Sequence, residues 1–386
     1  MRILFCNYEY PPLGGGGGVF NKQIAEELAK RHTVDVLTSQ GMNLPEFSVE
    51  NGVNIYRVPV YFRKMQAAAN LPSMLAYLPS GYSTGKKLLK EFDYDVVNTH
   101  FAIPSGPLGK WLAKRADVPN VLTVQGGDLY DPSKFMSPHR HYILRSIVKD
   151  VIAKSDAVVA ASNNSISNVH EFYDADQECK YVPLGIERPS QDMKKTKKDF
   201  GLDESDIVLV TVGRLVARKG LDRLLNVIAR LNNSKVHLFV VGSGPQLESL
   251  QAQAKELGIS GQIHYLGQVD NVEKQETLKM SDIYVSTSQH EGFGIVYLEA
   301  MTADLPVICY DYGGQTDFLK SDETGYVVKL NDEDAFLKAC NTLIEQPELR
   351  QQMAKHNLEV VESFYIENCA GEYEALFEKV IADYKA

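Results

Sequence analysis

Two glutamates eight positions apart, Glu291 and Glu299, bracket the turn Gly292-Phe293-Gly294 within the run Gln289–Met301. Carboxylates accept well from paired hydroxyls and make poor partners for phosphate. The run Ile283–Thr287 ahead of them reads as a strand, and the apolar run after Gly294 reads as a helix. Gly292 and Gly294 stand where the backbone must turn tightly. The first turn of a helix carries unpaired N–H groups and partial positive charge, which suits a phosphate. A diphosphate on the start formed by Gly292, Phe293, Gly294, Ile295 and Val296 would have a sugar beside Glu291. A ribose would lie beside Glu299, roughly 7 Å further along at 1.5 Å per residue. The plain alternative is two solvated carboxylates.

Cations that could complement a diphosphate follow another strand, Ile207–Val212, in the stretch Gly213–Asp222. Arg214 can grip phosphate oxygens with a fork and Lys219 adds a compact charge, with Arg218 as the alternative to Arg214. Otherwise this is a basic loop in solvent. Near the N-terminus the strand Arg2–Asn7 runs into five glycines, Gly14 to Gly18, and a helix is expected from about Val19 to Arg31. Strand, glycine loop and helix are a Rossmann-like opening. The dinucleotide fingerprint needs a glycine three residues after its second, and Val19, Phe20 or Asn21 occupies that place, so a nicotinamide cofactor does not fit. Five adjacent glycines cost folding entropy, which favours a loop whose backbone approaches a ligand, at Gly15, Gly16 and Gly17, over one that is merely flexible.

His100 ends the strand Asp95–His100, and in open α/β sheets ligands sit beyond the carboxyl ends of strands. A capped surface histidine is the alternative. Asp93-Tyr94-Asp95 lies at the wrong, amino end and reads as a turn. After the strand Val121–Val124, Gln125-Gly126-Gly127-Asp128 follows, and Asp128 either reaches the site or caps the next helix. His139-Arg140-His141 reads as a solvated basic patch, with no clustered carboxylates to make a metal site. Asp174-Ala175-Asp176 and Asp332-Glu333-Asp334 read as solvated too.

The chain has 386 residues, 44% apolar and 23% charged, ordinary values for a globular protein with room for two cores. Its five cysteines are scattered, which argues against a disulfide framework and fits a reducing compartment. Neither a signal peptide nor a membrane span is expected. Net charge is −10, yet residues 57–154 carry 14 Lys/Arg against 7 Asp/Glu, leaving −17 elsewhere. That balance disfavours nucleic acid and admits a phosphorylated acceptor or an anionic membrane. Tyr61 to Phe92 mixes apolar and basic residues, including Phe62, Lys64 and Met65. It could form a peripheral membrane contact, though a core helix with snorkelling lysines is the commoner outcome. A charged run places a linker around Glu187 to Lys195, and the last stretch, Glu362–Ala386, has an amphipathic helical pattern.

The Glu-x7-Glu pattern with Gly-Phe-Gly inside it, together with Gly213-Arg214 and Lys219-Gly220, resembles the retaining glycosyltransferases of family 4, which have the two-domain GT-B fold. The resemblance spans the chain and is strongest from Val212 to Gly314. It implies an α/β architecture of two Rossmann-like domains with parallel sheets facing a central cleft. Residues 1–188 would form the acceptor domain and 189–363 the nucleotide-sugar domain, with about 364–386 packing back on the first. Arg214 and Lys219 would clamp the donor diphosphate, the glycine loop would close over donor and acceptor, and His100 would face the reacting sugar. Relatives often carry a His-Gly pair where this chain has Gln125-Gly126, a departure that bears on acceptor choice. The run Leu266-Gly267-Gln268-Val269-Asp270, with Lys274, looks most like phosphatidylinositol mannosyltransferases, in which this loop holds the base. The family retains anomeric configuration and needs neither metal nor cofactor. It takes a nucleoside-diphosphate sugar as donor and a glycan, lipid-linked or small-molecule acceptor. A cytoplasmic enzyme, with a peripheral place on the inner membrane face admitted, is the expected setting. The competing readings are a nonhydrolysing sugar-nucleotide epimerase of the same fold and a non-catalytic nucleotide-sugar-binding protein.

Overall fold

A computed structural model describes residues 1–41, 43–61, 63, 71–133, 135–189 and 195–386. Phe62, Lys64 and Met65 of the mixed basic stretch, and 190–194 of the expected linker, lie outside the described residues. The chain divides into two compact units, one of Met1–Glu187 with Phe364–Ala386 and the other of Arg188–Ser363.

The first unit is built on eight strands: β1 (Arg2–Asn7), β2 (Thr33–Ser39), β3 (Phe47–Glu50), β4 (Val53–Val58), β5 (Val96–His100), β6 (Asn120–Val124), β7 (Ala157–Ala160) and β8 (Cys179–Tyr181). Their order is β3-β4-β2-β1-β5-β6-β7-β8. Every pairing is parallel except β3 with β4. Ile3, Leu4, Phe5 and Cys6 are wholly buried, because a central parallel strand is covered on both faces and therefore reads as a continuous apolar run. β2 lies to one side of β1 and β5 to the other. The direction of winding reverses there, which opens a crevice beyond Asn7 and His100.

The helix Leu71–Glu91 packs on the helix Ser105–Ala116. A Cβ at Gly81 or Gly85 would come within 2.5 Å of Leu108 or Leu112, so the two glycines let the helices close up. Tyr77 and Leu88 are buried with Leu108 and Leu112 in one cluster, while Leu75 of the same helix is largely exposed. The last helix, Ile366–Lys385, belongs to the first unit. Glu374 accepts from Arg31 at 2.7 Å and lies 2.7 Å from the His32 ring, and Tyr373 donates to Thr123 at 3.3 Å.

The second unit has six strands: β9 (Ile207–Val212), β10 (Val236–Val241), β11 (Ile263–Gly267), β12 (Ile283–Ser286), β13 (Val307–Tyr310) and β14 (Gly325–Val328). They are ordered β11-β10-β9-β12-β13-β14 and all parallel. The reversal falls between β9 and β12. Leu209, Leu224, Ile228, Val240, Val285, Ile308 and Phe336 share one core beneath it. Among the described residues, no helix is long and apolar enough to cross a membrane.

Candidate active site

Both glutamate- and lysine-bearing loops leave the carboxyl ends of the two strands at that reversal. After β9 the chain turns at Gly213, forms one short turn over Ala217–Lys219, and enters the helix Leu221–Leu231 through Gly220 at φ +60°. A Cβ at Gly220 would overlap the Thr287 carbonyl, so only glycine lets this turn lie against the segment after β12. Thr287 secures the approach by donating to the Gly220 carbonyl at 2.7 Å. Lys219 is thereby laid over Gly213, its Cε 3.1 Å from where a Cβ would stand, and it lines a small pocket with Thr211, Val212, Gly213 and Ser286.

Glu291 is 7% exposed. Lys219 donates to its Oε1, and Arg218 donates to its Oε2 at 3.2 Å and to the neighbouring His290 carbonyl. Burial pushes the Glu291 carboxyl up, but the Lys219 and Arg218 cations and hydrogen bonds from Lys219 and Ser288 outweigh it and hold it at about 2. The group is therefore a fixed anion at neutral pH. Its backbone is fixed from the other side, where Gly314 N–H donates to the Glu291 carbonyl at 2.9 Å. A Cβ at Gly313, at φ +134°, would overlap that carbonyl.

Gly292 and Phe293 lead to Gly294 at φ +94°, and the helix Ile295–Thr302 begins with no side-chain cap and no acidic residue in its first turn. This start is compatible with an anion. Glu299, one turn further on, accepts from Lys274 at 2.7 Å, while its Oε2 is buried without a partner. Lys274 comes from the helix Asn271–Lys279, which opens after half-buried Val269 with Asp270 as its cap. Lys219, Glu291, the turn at Gly292–Gly294, Glu299 and Lys274 thus occupy one end of one sheet.

Arg214 stands apart, exposed, its guanidinium without a hydrogen bond or ion pair among the described residues. The cation that joins Lys219 at Glu291 is Arg218, the alternative of the sequence reading. Its spacing in the chain carries no hint of this, because one short helical turn decides which side chain faces β12. The coupling of Lys274 to Glu299 and the seat of Glu291 on Gly313 and Gly314 were also illegible, since both join segments from different loops.

In the first unit the helix after β1 starts at Gly16, three residues earlier than expected, and runs to Ala29. Gly16 and Gly17 are its first turn, where a helix leaves its N–H groups unpaired. Gly15 precedes it, and its N–H donates to Glu9 at 3.3 Å. A Cβ at Gly17 would overlap Gln125 Oε1, whereas Gly15 and Gly16 face open space. Gln125 donates to Asn21 at 2.6 Å and keeps its Oε1 buried without a partner. His100 is wholly buried, with neither ring nitrogen hydrogen-bonded, and burial pushes it down to about 3, so it is a neutral imidazole. Asp128 neither reaches out nor caps a helix. It accepts from the backbone N–H groups of Ala102 at 2.7 Å and Gln125 at 3.0 Å, tying together the loops after β5 and β6. Burial raises its carboxyl, and these backbone donors oppose the rise. Orphaned polar atoms of Asn7, Asn21, His100 and Gln125 therefore cluster below the glycine turn. Buried polar atoms left unpaired are costly, and a ligand hydroxyl is the natural partner for such a set. Among the described residues, no three His, Cys, Asp or Glu side chains gather as a metal site.

Comparison with known proteins bears on both units. The family model described as "Glycosyltransferase Family 4" matches residues 14–188, and "Glycosyl transferases group 1" matches residues 192–359. The chain is 28% identical to N-acetyl-alpha-D-glucosaminyl L-malate synthase of Bacillus anthracis, over 97% of each chain. It is 27% identical to the GDP-mannose-dependent alpha-(1-6)-phosphatidylinositol monomannoside mannosyltransferase of Mycolicibacterium smegmatis, over 89% of this chain and 90% of that one. Its fold matches the solved sucrose-phosphate synthase of Thermosynechococcus elongatus with a TM-score of 0.84 at 20% identity, covering 99% of this chain and all of that one.

Proposed function

This chain belongs to glycosyltransferase family 4, with the GT-B fold, and we propose that it moves a sugar from a UDP- or GDP-linked donor to a hydroxyl acceptor with retention and without a bound metal. The observation that carries this reading is Glu291, ionised and buried against Lys219 and Arg218 beside the start of the Ile295–Thr302 helix.

Breaking the bond between the anomeric carbon and the phosphate oxygen builds negative charge on the diphosphate and makes the sugar oxocarbenium-like. Lys219, Arg218 and the N–H groups after Gly292 stand where that charge develops, and preformed donors in a sheltered site lower the barrier without reorganising. Arg214, unpaired, is free to swing onto the same diphosphate. Glu291 orients sugar hydroxyls. With both its oxygens engaged by cations it neither donates a proton nor attacks. The acceptor oxygen bonds to the anomeric carbon on the face from which the phosphate leaves, and the departing phosphate oxygen takes the acceptor's proton. Glu299, fixed by Lys274, accepts from the ribose, and the backbone near Val269 meets the base. The orphaned atoms of His100 and Gln125 receive hydroxyls on the acceptor side.

The test is donor consumption across a panel of UDP- and GDP-sugars with chelator present. Transfer that requires an acceptor and gives product of the donor's anomeric configuration supports the reading. Conversion of donor without acceptor would point to the epimerase, tight binding without consumption to a sensor, and loss of activity on chelation would reject the metal-free mechanism.

A further inference from the structure

The loop and helix start between β6 and β7 carry an apolar surface that no part of the proposed transfer uses. Phe135, Met136, Tyr142 and Ile143 are 80%, 47%, 85% and 71% exposed, and Tyr142 and Phe135 are the two most exposed large apolar side chains among the described residues. They are held in place. His141 immediately precedes the helix Tyr142–Ala153, meets the Phe135 ring edge-on at 5.4 Å, and lies 2.7 Å through its Nε2 from the Phe135 carbonyl. In the same loop Tyr130 stacks on Phe172 at 5.5 Å and meets His139 at 4.5 Å, a second aromatic group that helps order the segment.

Charge narrows what could cover it. Between Phe135 and Lys149 the chain has Arg140, Arg145 and Lys149 and no carboxylate, in a protein whose net charge is −10. Arg140 and Lys149 are exposed, and Lys149 lies two turns from Tyr142 on the same side of the helix. Protruding aromatic and aliphatic side chains ringed by cations match the boundary between anionic headgroups and acyl chains.

We propose that Phe135, Met136, Tyr142 and Ile143, with Arg140 and Lys149 around them, dock the first unit on an anionic lipid surface. The apolar side chains enter the interface and the cations meet lipid phosphates. No residue of this surface takes part in the proposed transfer, so it stands or falls independently of it.

Flotation of the full chain with vesicles tests it. Vesicles of equimolar phosphatidylcholine and phosphatidylglycerol should carry the protein at low salt, those of phosphatidylcholine alone should not, and high salt should release it. The double substitution Tyr142→Ser, Ile143→Ser should abolish flotation while leaving the melting temperature unchanged, since both side chains are exposed. Lys149→Gln and Arg140→Gln should each weaken binding on the order of fivefold, the contribution of one cation near an anionic surface. No flotation with the anionic vesicles, or flotation indifferent to the double substitution, would overturn the proposal. So would an oligomer that the double substitution splits while flotation persists, since the surface would then join copies of the chain.

Discussion

Lys219 donates to Glu291 across the two loops that leave β9 and β12, so the cation proposed to meet a diphosphate is paired with the carboxylate proposed to orient a sugar. The pair lets each of these two charges be buried beside an opposite one. It also means that a bound diphosphate must share Lys219 with Glu291, leaving Arg218 to hold the carboxylate at 3.2 Å. Breaking a buried pair by removing one partner costs about 3 kcal/mol or more, because the other charge is left desolvated.

Lys219→Ala should therefore do two things. Turnover should fall on the order of 100-fold or more, the usual effect of deleting one donor to a developing negative charge. Stability should fall too, by less than a full pair because Arg218 remains. Lys219→Ala combined with Glu291→Gln should recover much of the lost stability in urea unfolding and none of the activity. Recovery of activity would show that the lysine serves only to neutralise the glutamate.

Acid should weaken the fold in two windows. Glu291 sits at about 2 in the folded chain against 4.5 unfolded, so its stabilisation is full above 4.5 and drains as pH falls toward 2. His100 sits at about 3 against 6.5, so the unfolded chain binds its proton first and stability drains as pH falls from 6.5 toward 3. Each window has a slope of about 1.4 kcal/mol per pH unit for one proton. Urea midpoints measured against pH should lose the upper window in His100→Phe and the lower one in Glu291→Gln.

Backbone placement at the donor loops depends on two glycines. Gly313→Ala and Gly220→Ala should each destabilise by about 2 kcal/mol or more, through a left-handed or otherwise positive φ and overlap with the Glu291 or Thr287 carbonyl. Gly258→Ala, at φ +72° with open space around it, should cost only about 1 kcal/mol. Equal losses in denaturant titrations would remove the packing argument.

On the acceptor side, Gln125→Leu should raise the acceptor KM about tenfold while leaving the thermal shift given by donor unchanged, since the bonds lost are the one to acceptor and the one Gln125 donates to Asn21. Gly17→Ala should have the same signature, because its methyl displaces the Gln125 amide. A change in donor affinity instead would place Gln125 on the wrong substrate.

Much was legible in the chain itself. Central strands carry continuous apolar runs, Ile3–Cys6 and Ile207–Val210, because both faces are covered, and that pattern needs no partner to be seen. Gly292-Phe293-Gly294 between a strand and a helix fixes a turn through local backbone sterics, and the Glu-x7-Glu spacing is a local fact of the same kind. The pairing of side chains is different. Arg218, not Arg214, reaches Glu291, Lys274 finds Glu299, and Asp128 is spent on backbone donors, because each contact joins loops from separate strands whose register only the folded sheet sets. The glycines beside Gln125 and the Glu291 carbonyl follow the same rule. Sequence determines that the backbone can turn there, and packing against a distant segment decides that it must.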